Sequence, residues 1–379
     1  MIDVAVAGGG PAGCASAALL ARDHDVAVFE EHARIGEPVQ CAGLLTCDAV
    51  KLSGVSPGIL STLHGAEVRF PDGSTVRVRS DGPKAVAVDR AEFDSLLADR
   101  ALAAGAEIRT SDRVSSFSIG DCVTLSSSSG GHRARLLVGA DGHSSAVSQG
   151  MGLPRPEYLR GIQATVDVRM EEQDMFRMRL GSRYAPGFFT WEIPCGDVTR
   201  VGLCTEWSVG PPVQYLRRLL SDLGWEDRVR SMQCGKIPMG PLGPMSGDRT
   251  MLIGDAASQV KPVSAGGITP SMVAAPILAD VAHRALDDGD LSRRRLSEYD
   301  RRWNGGIGRE IRRGARLRRV YIRMDDGDLS RAGRYASRDD VREVLDNISL
   351  DTPTDVIRGL LARPRTGMAG FWTLLRCLV

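Results

Sequence analysis

The feature that most constrains the fold is a glycine-rich turn between two apolar runs at the start of the chain. Asp3–Ala7 (DVAVA) is a short apolar run typical of a buried parallel strand, and Gly8–Gly13 (GGGPAG) follows it at once. The Ala- and Leu-rich stretch Cys14–Arg22 predicts a helix, and Val26–Phe29 predicts a second strand that ends at Glu30. The segment therefore predicts a βαβ unit with G-x-G-x-x-G at its first turn and an acid after its second strand.

Each position of this turn has a separate physical purpose. Gly8 permits the tight turn, Gly10 lets the backbone approach a pyrophosphate, and Gly13 lets the helix pack on the strand. The helix N-terminus then presents unpaired N–H groups and a positive dipole end to the phosphates. Glu30, 17 residues after Gly13, can accept hydrogen bonds from a ribose diol. The pattern favours dinucleotide binding over the alternative, which is a glycine turn in an α/β fold without a ligand.

Composition and charge exclude several other classes of protein. The 379 residues carry 48 Lys and Arg against 47 Asp and Glu, and a net charge of +1 argues against a dedicated nucleic-acid binder. No apolar run reaches the ~18–20 residues of a bilayer-spanning helix, and the N-terminus lacks the features of a secretory signal. Eight cysteines show neither CxxC nor zinc-site spacing, so we expect free thiols, no metal and a cytoplasmic protein.

The rest of the chain predicts two further buried strands that end in polar corners, and three regions. Leu136–Ala140 leads into Asp141–Ser145, and Thr250–Ile253 leads into Gly254–Ala257. Alternating strand-like runs suggest an antiparallel sheet in the middle of the chain, and the pattern from about residue 291 is helical and rich in arginine. We predict a discontinuous nucleotide-binding domain (1–150 with 236–290), an antiparallel-sheet substrate domain (151–235 with part of 50–85) and a helical C-terminal region (291–379).

Three separated signatures together resemble the FAD-binding fold of the p-hydroxybenzoate hydroxylase type. They are the glycine turn with Glu30, the sequence Gly139–Gly142 with Ser145, and the sequence Gly254–Ala257 with Pro262 and Gly266–Gly267. The stretch Asp89–Leu97 adds a strand-to-helix element of that fold, in which the residue matching Arg90 lies near the ribityl and phosphate region of the flavin. The resemblance implies an α/β, Rossmann-like domain that binds FAD.

Within that fold the sequence is most similar to the geranylgeranyl reductase family. Gly36–Gly43 (GEPVQCAG) resembles the family's P-V-x-C-x-G segment, whose cysteine approaches the isoalloxazine ring. Phe189–Pro194 (FTWEIP) resembles the family's Y-x-W-x-F-P motif of the substrate cavity, with Phe189 in place of Tyr and Ile193 in place of Phe. These departures keep the aromatic and apolar character of the motif but remove one hydroxyl.

The predicted cofactor site follows from these matches. Asp255 can hydrogen-bond a ribityl hydroxyl, Gly266 and Gly267 can bring bare backbone to the pyrimidine edge, and the following helix would favour the negative charge of reduced flavin. We expect Asp141 to shape its loop, and Pro276 to kink or shorten the helix after Gly267. The full set of predicted cofactor contacts is Gly8, Gly10, Pro11, Ala12, Gly13, Glu30, Glu31, Cys41, Ala42, Gly43, Arg90, Asp141, Gly254, Asp255, Pro262, Gly266, Gly267 and Ile268.

The candidate for chemistry is Cys41, either as proton donor to an alkene carbon or as part of the pocket wall. A buried cysteine of the core is the competing interpretation. Phe189, Trp191 and Pro194 are predicted to contact substrate, although aromatic residues on strands also serve simply as core packing.

The resemblance implies a reductase that uses FAD to saturate C=C bonds of geranylgeranyl chains in isoprenoid lipids or their diphosphate precursors. An aromatic-ring or quinone monooxygenase on the same fold is the alternative, and a flavin-bound component without its own catalysis is a third class. The electron donor stays open among NAD(P)H, ferredoxin and other carriers. The stretch Arg301–Arg323, with nine arginines and one acid, and the run Phe371–Val379 suggest peripheral contact with a membrane.

Overall fold

The computed structural model describes residues 1–240, 243–346 and 351. In this part of the chain the strands, in chain order, are β1 (Ile2–Ala7), β2 (Val26–Phe29), β3 (Leu44–Thr46), β4 (Ile59–Leu63), β5 (Gly65–Arg69), β6 (Thr75–Arg79), β7 (Ala85–Val88), β8 (Glu107–Arg109), β9 (Val114–Ile119), β10 (Val123–Ser127), β11 (Gly130–Gly139), β12 (Glu157–Val166), β13 (Met175–Leu180), β14 (Phe189–Cys195), β15 (Val198–Glu206), β16 (Val229–Met239), β17 (Ser246–Gly247) and β18 (Thr250–Leu252).

The α-helices of the same residues are α1 (Pro11–Leu20), α2 (Cys47–Ser53), α3 (Arg90–Ala103), α4 (Ala146–Gly150), α5 (Pro212–Leu223), α6 (Ile268–Asp287), α7 (Arg293–Gly305), α8 (Ile307–Tyr321), α9 (Asp326–Ala336) and α10 (Asp339–Asp346). No helix among the described residues is both long enough and apolar enough to cross a membrane.

The first sheet has the strand order β17-β18-β11-β1-β2-β8, in which the strands from β18 to β8 are parallel and β17 is antiparallel to β18. The antiparallel hairpin β9–β10 extends β11. Strands β2 and β11 flank β1 with Val4 opposite both Val26 and Leu136. The strands β1, β2 and the second half of β11 are almost fully buried because helices cover the sheet, which explains their uninterrupted apolar sequences. The predicted βαβ unit is therefore confirmed, and α1 lies beside α3 and α6.

The second sheet has seven strands in the order β16-β12-β15-β14-β13-β5-β6. Its strands from β16 to β13 pair in antiparallel fashion. Helix α5 covers one face, where Leu216, Leu219 and Leu220 pack on apolar side chains of β12 and β15. The opposite face carries Trp191 and Phe189 and packs toward Ala42, in the loop before β3, and Ala265, in the loop before α6.

The small sheet β3-β7-β4 packs against β14 of the second sheet and against α6. Strand β7 leads directly into α3, and Asp89 caps that helix by accepting hydrogen bonds from the N–H groups of Ala91 and Glu92. Strand β3 follows the loop that contains Cys41. This sheet therefore places the cysteine loop between the first and second sheets.

The helical region after residue 291 begins against the first sheet. Leu296, Tyr299 and Trp303 of α7 belong to the same buried cluster as β1. The Tyr299 hydroxyl donates to the carbonyl of Leu252, 3.0 Å away, at the end of β18. Strand β16, which includes residues 236–239, belongs to the second sheet. The proposed limits of the three regions stay a prediction.

Helix α6 runs for 20 residues and contains Pro276. The expectation that Pro276 shortens this helix was wrong. Its neighbours Ala274, Ala275 and Leu278 are buried, so packing on both sides of the proline holds the helix together although the proline lacks a backbone donor.

Candidate functional site

The glycine turn has the steric requirements that its sequence predicted. Gly8 has a φ of +101°, and a Cβ atom there would lie 2.3 Å from the carbonyl oxygen of Ala140. A Cβ atom on Gly13 would lie 2.0 Å from the carbonyl oxygen of Gly8. By contrast, a Cβ on Gly10 meets nothing within 4 Å. The backbone is thus closely packed at two glycines and open at the third.

This open space lies at the N-terminus of α1. Gly10 is the N-cap residue and offers no side-chain cap, and Pro11 occupies the first helical position, so the N–H groups that follow are available to an anion. Ala12, one residue further, approaches the third motif, because a Cβ on Gly254 would be 2.8 Å from the Cβ of Ala12. The three sequence signatures therefore converge, since Gly8 also contacts Ala140 beside Asp141.

Glu30 lies beside the turn, 8% exposed. One of its carboxylate oxygens accepts the N–H of Gly9 at 2.8 Å, and the other accepts from the backbone and ring of His32 at 2.9 and 2.6 Å. These bonds fix the carboxylate at the end of β2, where its remaining lone pairs can accept hydrogen bonds from the hydroxyl groups of a ribose. Glu31 differs from Glu30, because it is exposed and lies 3.5 Å from Arg113.

Asp141 has the loop-shaping position that its sequence context suggested. Its carboxylate accepts hydrogen bonds from the Ser145 hydroxyl at 2.5 Å and from the N–H of Val147 at 3.1 Å. Burial raises the pKa of Asp141, although these hydrogen bonds act in the opposite direction. The side chain therefore organises the turn from β11 into α4, next to Gly8.

Asp255 is different, because its carboxylate accepts no hydrogen bond from the described residues. Burial raises its pKa to about 6, and the charge of Arg90 acts in the opposite direction. A Cβ on Gly267 would be 3.1 Å from Asp255 Oδ1, so the carboxylate faces bare backbone. A partly buried acceptor without a protein donor among the described residues fits the hydroxyl group of a ligand such as the ribityl chain of FAD.

Arg90 joins the strand-to-helix element to the cysteine loop. It is 7% exposed and forms a forked ion pair with Asp94 at distances of 2.9 to 3.1 Å. Its guanidinium also lies close to Cys41 and interacts with it electrostatically. Burial disfavours the charge, but the neighbouring Cys41 and Asp94 outweigh that effect and raise the pKa of Arg90. Cys41 thus lies against a permanent cation.

Two side chains of the second sheet hold the cysteine loop in place. Gln233 Nε2 on β16 donates to the carbonyl of Cys41 at 3.2 Å. Arg200 on β15 donates from Nη1 to the carbonyls of Ala42 and Val88 at 3.0 and 2.8 Å. Gly43, with a φ of +72°, leaves room for this arginine, because a Cβ there would be 2.2 Å from Arg200 Nη1. Neither anchoring residue belongs to a recognisable sequence motif.

The aromatic residues of β14 line the sheet face that carries these anchors. Trp191 donates from Nε1 to the Oε1 of Gln163, 2.7 Å away, and a Cβ on Gly202 would be 2.5 Å from the indole ring. Phe189 stacks on Phe188 with ring centroids 4.2 Å apart. Gln163 is 4% exposed, and its Nε2 has no hydrogen-bond partner among the described residues. This apolar wall therefore contains one buried donor without an acceptor from the described part of the chain.

Pro194 does not share that wall. Side chains alternate along a strand, so Pro194 lies on the face of β14 opposite Trp191 and Phe189. Its carbonyl accepts the Ser61 hydroxyl at 2.5 Å. The structure brings together two of the three predicted substrate contacts and places the third behind them.

The loop before α6 contains the remaining predicted cofactor contacts. Gly266 and Gly267 end this loop, and Ile268 is the first residue of α6. The loop packs against α8, because a Cβ on Gly314 would be 3.3 Å from Pro262. The hydroxyls of Thr269 and Thr46 lie 3.2 Å apart, which joins the start of α6 to the end of β3 beyond the cysteine loop.

The described cysteines, Cys14, Cys41, Cys47, Cys122, Cys195, Cys204 and Cys234, are all free, as expected. Burial raises the pKa of Cys14 and of Cys204 to about 12, which agrees with their assignment to the core. Cys41 is only partly buried. No group of three potential metal ligands occurs in the described part of the chain.

Comparison with known proteins agrees with this geometry. A family model for the FAD-binding domain matches residues 1–185. The digeranylgeranylglycerophospholipid reductase of Methanothrix thermoacetophila is 30% identical over 368 residues, which cover 90% of this chain and 93% of that protein. The enzyme of the same name from Methanosarcina mazei is 30% identical over 354 residues, or 86% of each chain.

Two solved structures share the fold. A geranylgeranyl bacteriochlorophyll reductase-like protein from Thermoplasma acidophilum superposes with a TM-score of 0.84 at 20% identity, over 98% of this chain and 99% of that one. The halogenase PltM in complex with FAD superposes with a TM-score of 0.72 at 15% identity, over 100% of this chain and 90% of that one.

The converging motifs and the matching domain model define a class of protein, the FAD-dependent flavoprotein oxidoreductases. The predicted fold class and cofactor are therefore confirmed. Within this class, the chain belongs to the geranylgeranyl reductase family, as its cysteine and tryptophan motifs indicated.

Proposed function

We propose that the protein reduces C=C bonds of geranylgeranyl chains in isoprenoid lipids or their diphosphate precursors. The names of its relatives support this assignment. The single observation that carries it is the position of Cys41, held between a buried arginine on one side and an aromatic sheet face on the other. Bound FAD would supply hydride from its reduced N5 position.

The residues that would hold FAD follow from the site. The N–H groups after Gly10 bind the pyrophosphate, Glu30 binds the ribose of the adenosine, and Asp255 accepts a ribityl hydroxyl. The backbone of Gly266 and Gly267 would lie along the pyrimidine edge of bound FAD. The Cys41 loop, which is anchored to the second sheet, would close the site on that side.

The apolar wall of β14 holds the prenyl chain and keeps water away from it. Reduction of an isolated alkene adds a hydride to one carbon and a proton to the other, so an acid must act near the flavin. We assign this proton to the Cys41 thiol. The Arg90 guanidinium, which interacts electrostatically with Cys41, would lie near the sulfur that has given up its proton.

Mass spectrometry under anaerobic conditions tests the proposed reaction. The holoenzyme is reduced with dithionite, which replaces the unidentified physiological donor, and is mixed with unsaturated archaeal-type lipid, geranylgeranyl diphosphate or menaquinone. We expect a mass increase of two per reduced bond in a prenyl substrate. No increase of two without oxygen, together with an increase of sixteen when the same mixture is exposed to oxygen, would instead identify a monooxygenase and overturn the proposal.

A variant pair tests the role of Cys41. Cys41→Ala should slow single-turnover alkene reduction by at least tenfold while FAD stays bound, whereas Cys41→Ser keeps a weaker proton donor. Full activity of the alanine variant would exclude the thiol as the proton source.

We also propose peripheral contact with a membrane through the arginine-rich stretch 301–323. Within it, Arg302 pairs with Asp280 and Arg318 pairs with Glu206, whereas Arg316 and Arg319 are exposed on α8. The exposed arginines favour an anionic lipid surface. Sedimentation with anionic and with neutral vesicles tests this, and equal recovery from both would contradict it. The C-terminal run Phe371–Val379 lies outside the described residues.

A further inference from the structure

A buried lysine lies in the loop that precedes α6. Lys261 is 7% exposed, and its backbone closes the loop: its N–H donates to the carbonyl of Gly266 at 3.0 Å and its carbonyl accepts the N–H of Ala265 at 2.8 Å. Its side chain lies along the far end of the same loop. A Cβ atom built on Gly266 would be 3.0 Å from Lys261 Cε and 3.5 Å from Nζ. The ammonium group is therefore adjacent to the backbone of Gly266.

This ammonium group has a carboxylate partner from the end of the described chain. Lys261 Nζ lies 2.7 Å from Asp351 Oδ1, and the two side chains are 8% and 14% exposed. Asp351 also lines an open groove of about 870 Å³ with Thr269, Gly306 and Arg313. Removing both charges from water is costly. Because both side chains are largely buried, solvent screens the field of the lysine charge only weakly.

We propose that Lys261 tunes the FAD toward reduction by stabilising the negative charge that the reduced flavin carries at its pyrimidine edge, and that Asp351 moderates this effect. Two-electron reduction takes up two electrons and one proton, on N5, and leaves one negative charge near N1. A cation beside Gly266 favours that product over oxidised FAD, and the N-terminus of α6 acts in the same direction. Neutralising Asp351 strengthens the field of the lysine.

This inference rests on the proposed placement of the flavin along Gly266 and Gly267, but it requires no lipid substrate. Its test is the midpoint potential of bound FAD, measured anaerobically in the full-length holoenzyme by dye equilibration. A missing lipid reductase activity would therefore leave this test unaffected, and an unchanged potential would leave the alkene chemistry open.

Three variants and one control make the measurement specific. Lys261→Met removes the charge at similar length, Lys261→Arg keeps it, and Asp351→Asn removes the partner. The control Lys51→Met removes the same charge from an exposed position on α2 that lines the same groove. We expect Lys261→Met to weaken binding of reduced relative to oxidised FAD by at least tenfold, which lowers the potential by about 30 mV for a two-electron couple.

For the other variants we expect the midpoint potential to shift in the opposite direction or not at all. Asp351→Asn should raise the potential, whereas Lys261→Arg and Lys51→Met should leave it near the wild-type value. The ultraviolet spectrum of reduced flavin should also show N1 protonation at higher pH in Lys261→Met. Equal potentials for Lys261→Met and Lys51→Met would overturn the proposal. If Lys261→Met does not fold, the proposal still fails should Asp351→Asn leave the potential unchanged.

Discussion

The glycine turn allows FAD binding to be separated from folding by two substitutions three residues apart. Gly13→Ala adds a methyl group 2.0 Å from the carbonyl oxygen of Gly8 and 3.3 Å from the Cβ of Ala140. Gly10→Ala adds the same group where nothing lies within 4 Å and where φ is −70°, which any residue can adopt. We therefore expect Gly13→Ala to lower the stability of the folded protein, and Gly10→Ala to lower only its affinity for FAD.

The expected magnitudes follow from these distances. Overpacking against backbone costs about 1–3 kcal/mol, and the clash at Gly13 belongs at the upper end, offset by about 1 kcal/mol from the better helix propensity of alanine. We therefore expect Gly13→Ala to lower the free energy of unfolding of the apoprotein by about 2 kcal/mol. Gly10→Ala should change it by less than about 1 kcal/mol.

FAD affinity should show the reverse order for the folded proteins. The methyl of Gly10→Ala occupies the space proposed for the pyrophosphate and displaces it from the N–H groups of α1. A loss of about 1.4–2.8 kcal/mol corresponds to a Kd that is roughly 10- to 100-fold higher. Urea unfolding of the apoproteins and titration with FAD by fluorescence quenching measure the two quantities. Wild-type affinity in Gly10→Ala would refute the assignment of this space to the pyrophosphate.

Two further predictions concern residues of the same site. Because burial raises the pKa of Asp255 to about 6 from 3.8, folded apoprotein keeps a proton that the unfolded chain has lost, so stability should fall by up to about 3 kcal/mol as pH rises from 4 to 6. Asp255→Asn should remove this part of the pH dependence in urea unfolding, and an unchanged slope would contradict it. Arg200→Met deprives the carbonyls of Ala42 and Val88 of a donor and should cost about 2 kcal/mol and at least tenfold in single-turnover alkene reduction. The control Arg169→Met removes only a surface ion pair with Asp197 and should cost less than about 1 kcal/mol in the same assays.

The parts of the fold that sequence reasoning predicted are those governed by local rules. Strand β1, the glycine turn and β2 follow each other within 30 residues, and both the apolar runs and the glycines have steric causes that can be read locally. The corners at Asp141 and Asp255 were found in the same way, because each follows a short buried strand. Their convergence follows from parallel strands that end at one edge of a sheet.

The parts that sequence reasoning missed depend on contacts between distant segments. Arg200 lies 157 positions after Gly43, and nothing in its neighbourhood distinguishes it from the other arginines of a chain rich in them. Gln163 could not be identified from the sequence either, because its role depends on a hydrogen bond from the indole of Trp191 on another strand. The expected shortening of α6 at Pro276 was wrong for the opposite reason, because packing on both sides of the proline overrides a local rule.

The contact between Gly202 and Trp191 has a consequence for how the proposed prenyl-binding wall can change. The indole rests directly on main chain, because any side chain at position 202 would occupy the place of the ring. Its Nε1 is also held by the side-chain amide of Gln163 on β12. The sheet backbone therefore fixes the position of the indole in the proposed prenyl-binding wall. Exchanging the surrounding apolar residues would change the shape of the space beside this wall without moving the indole.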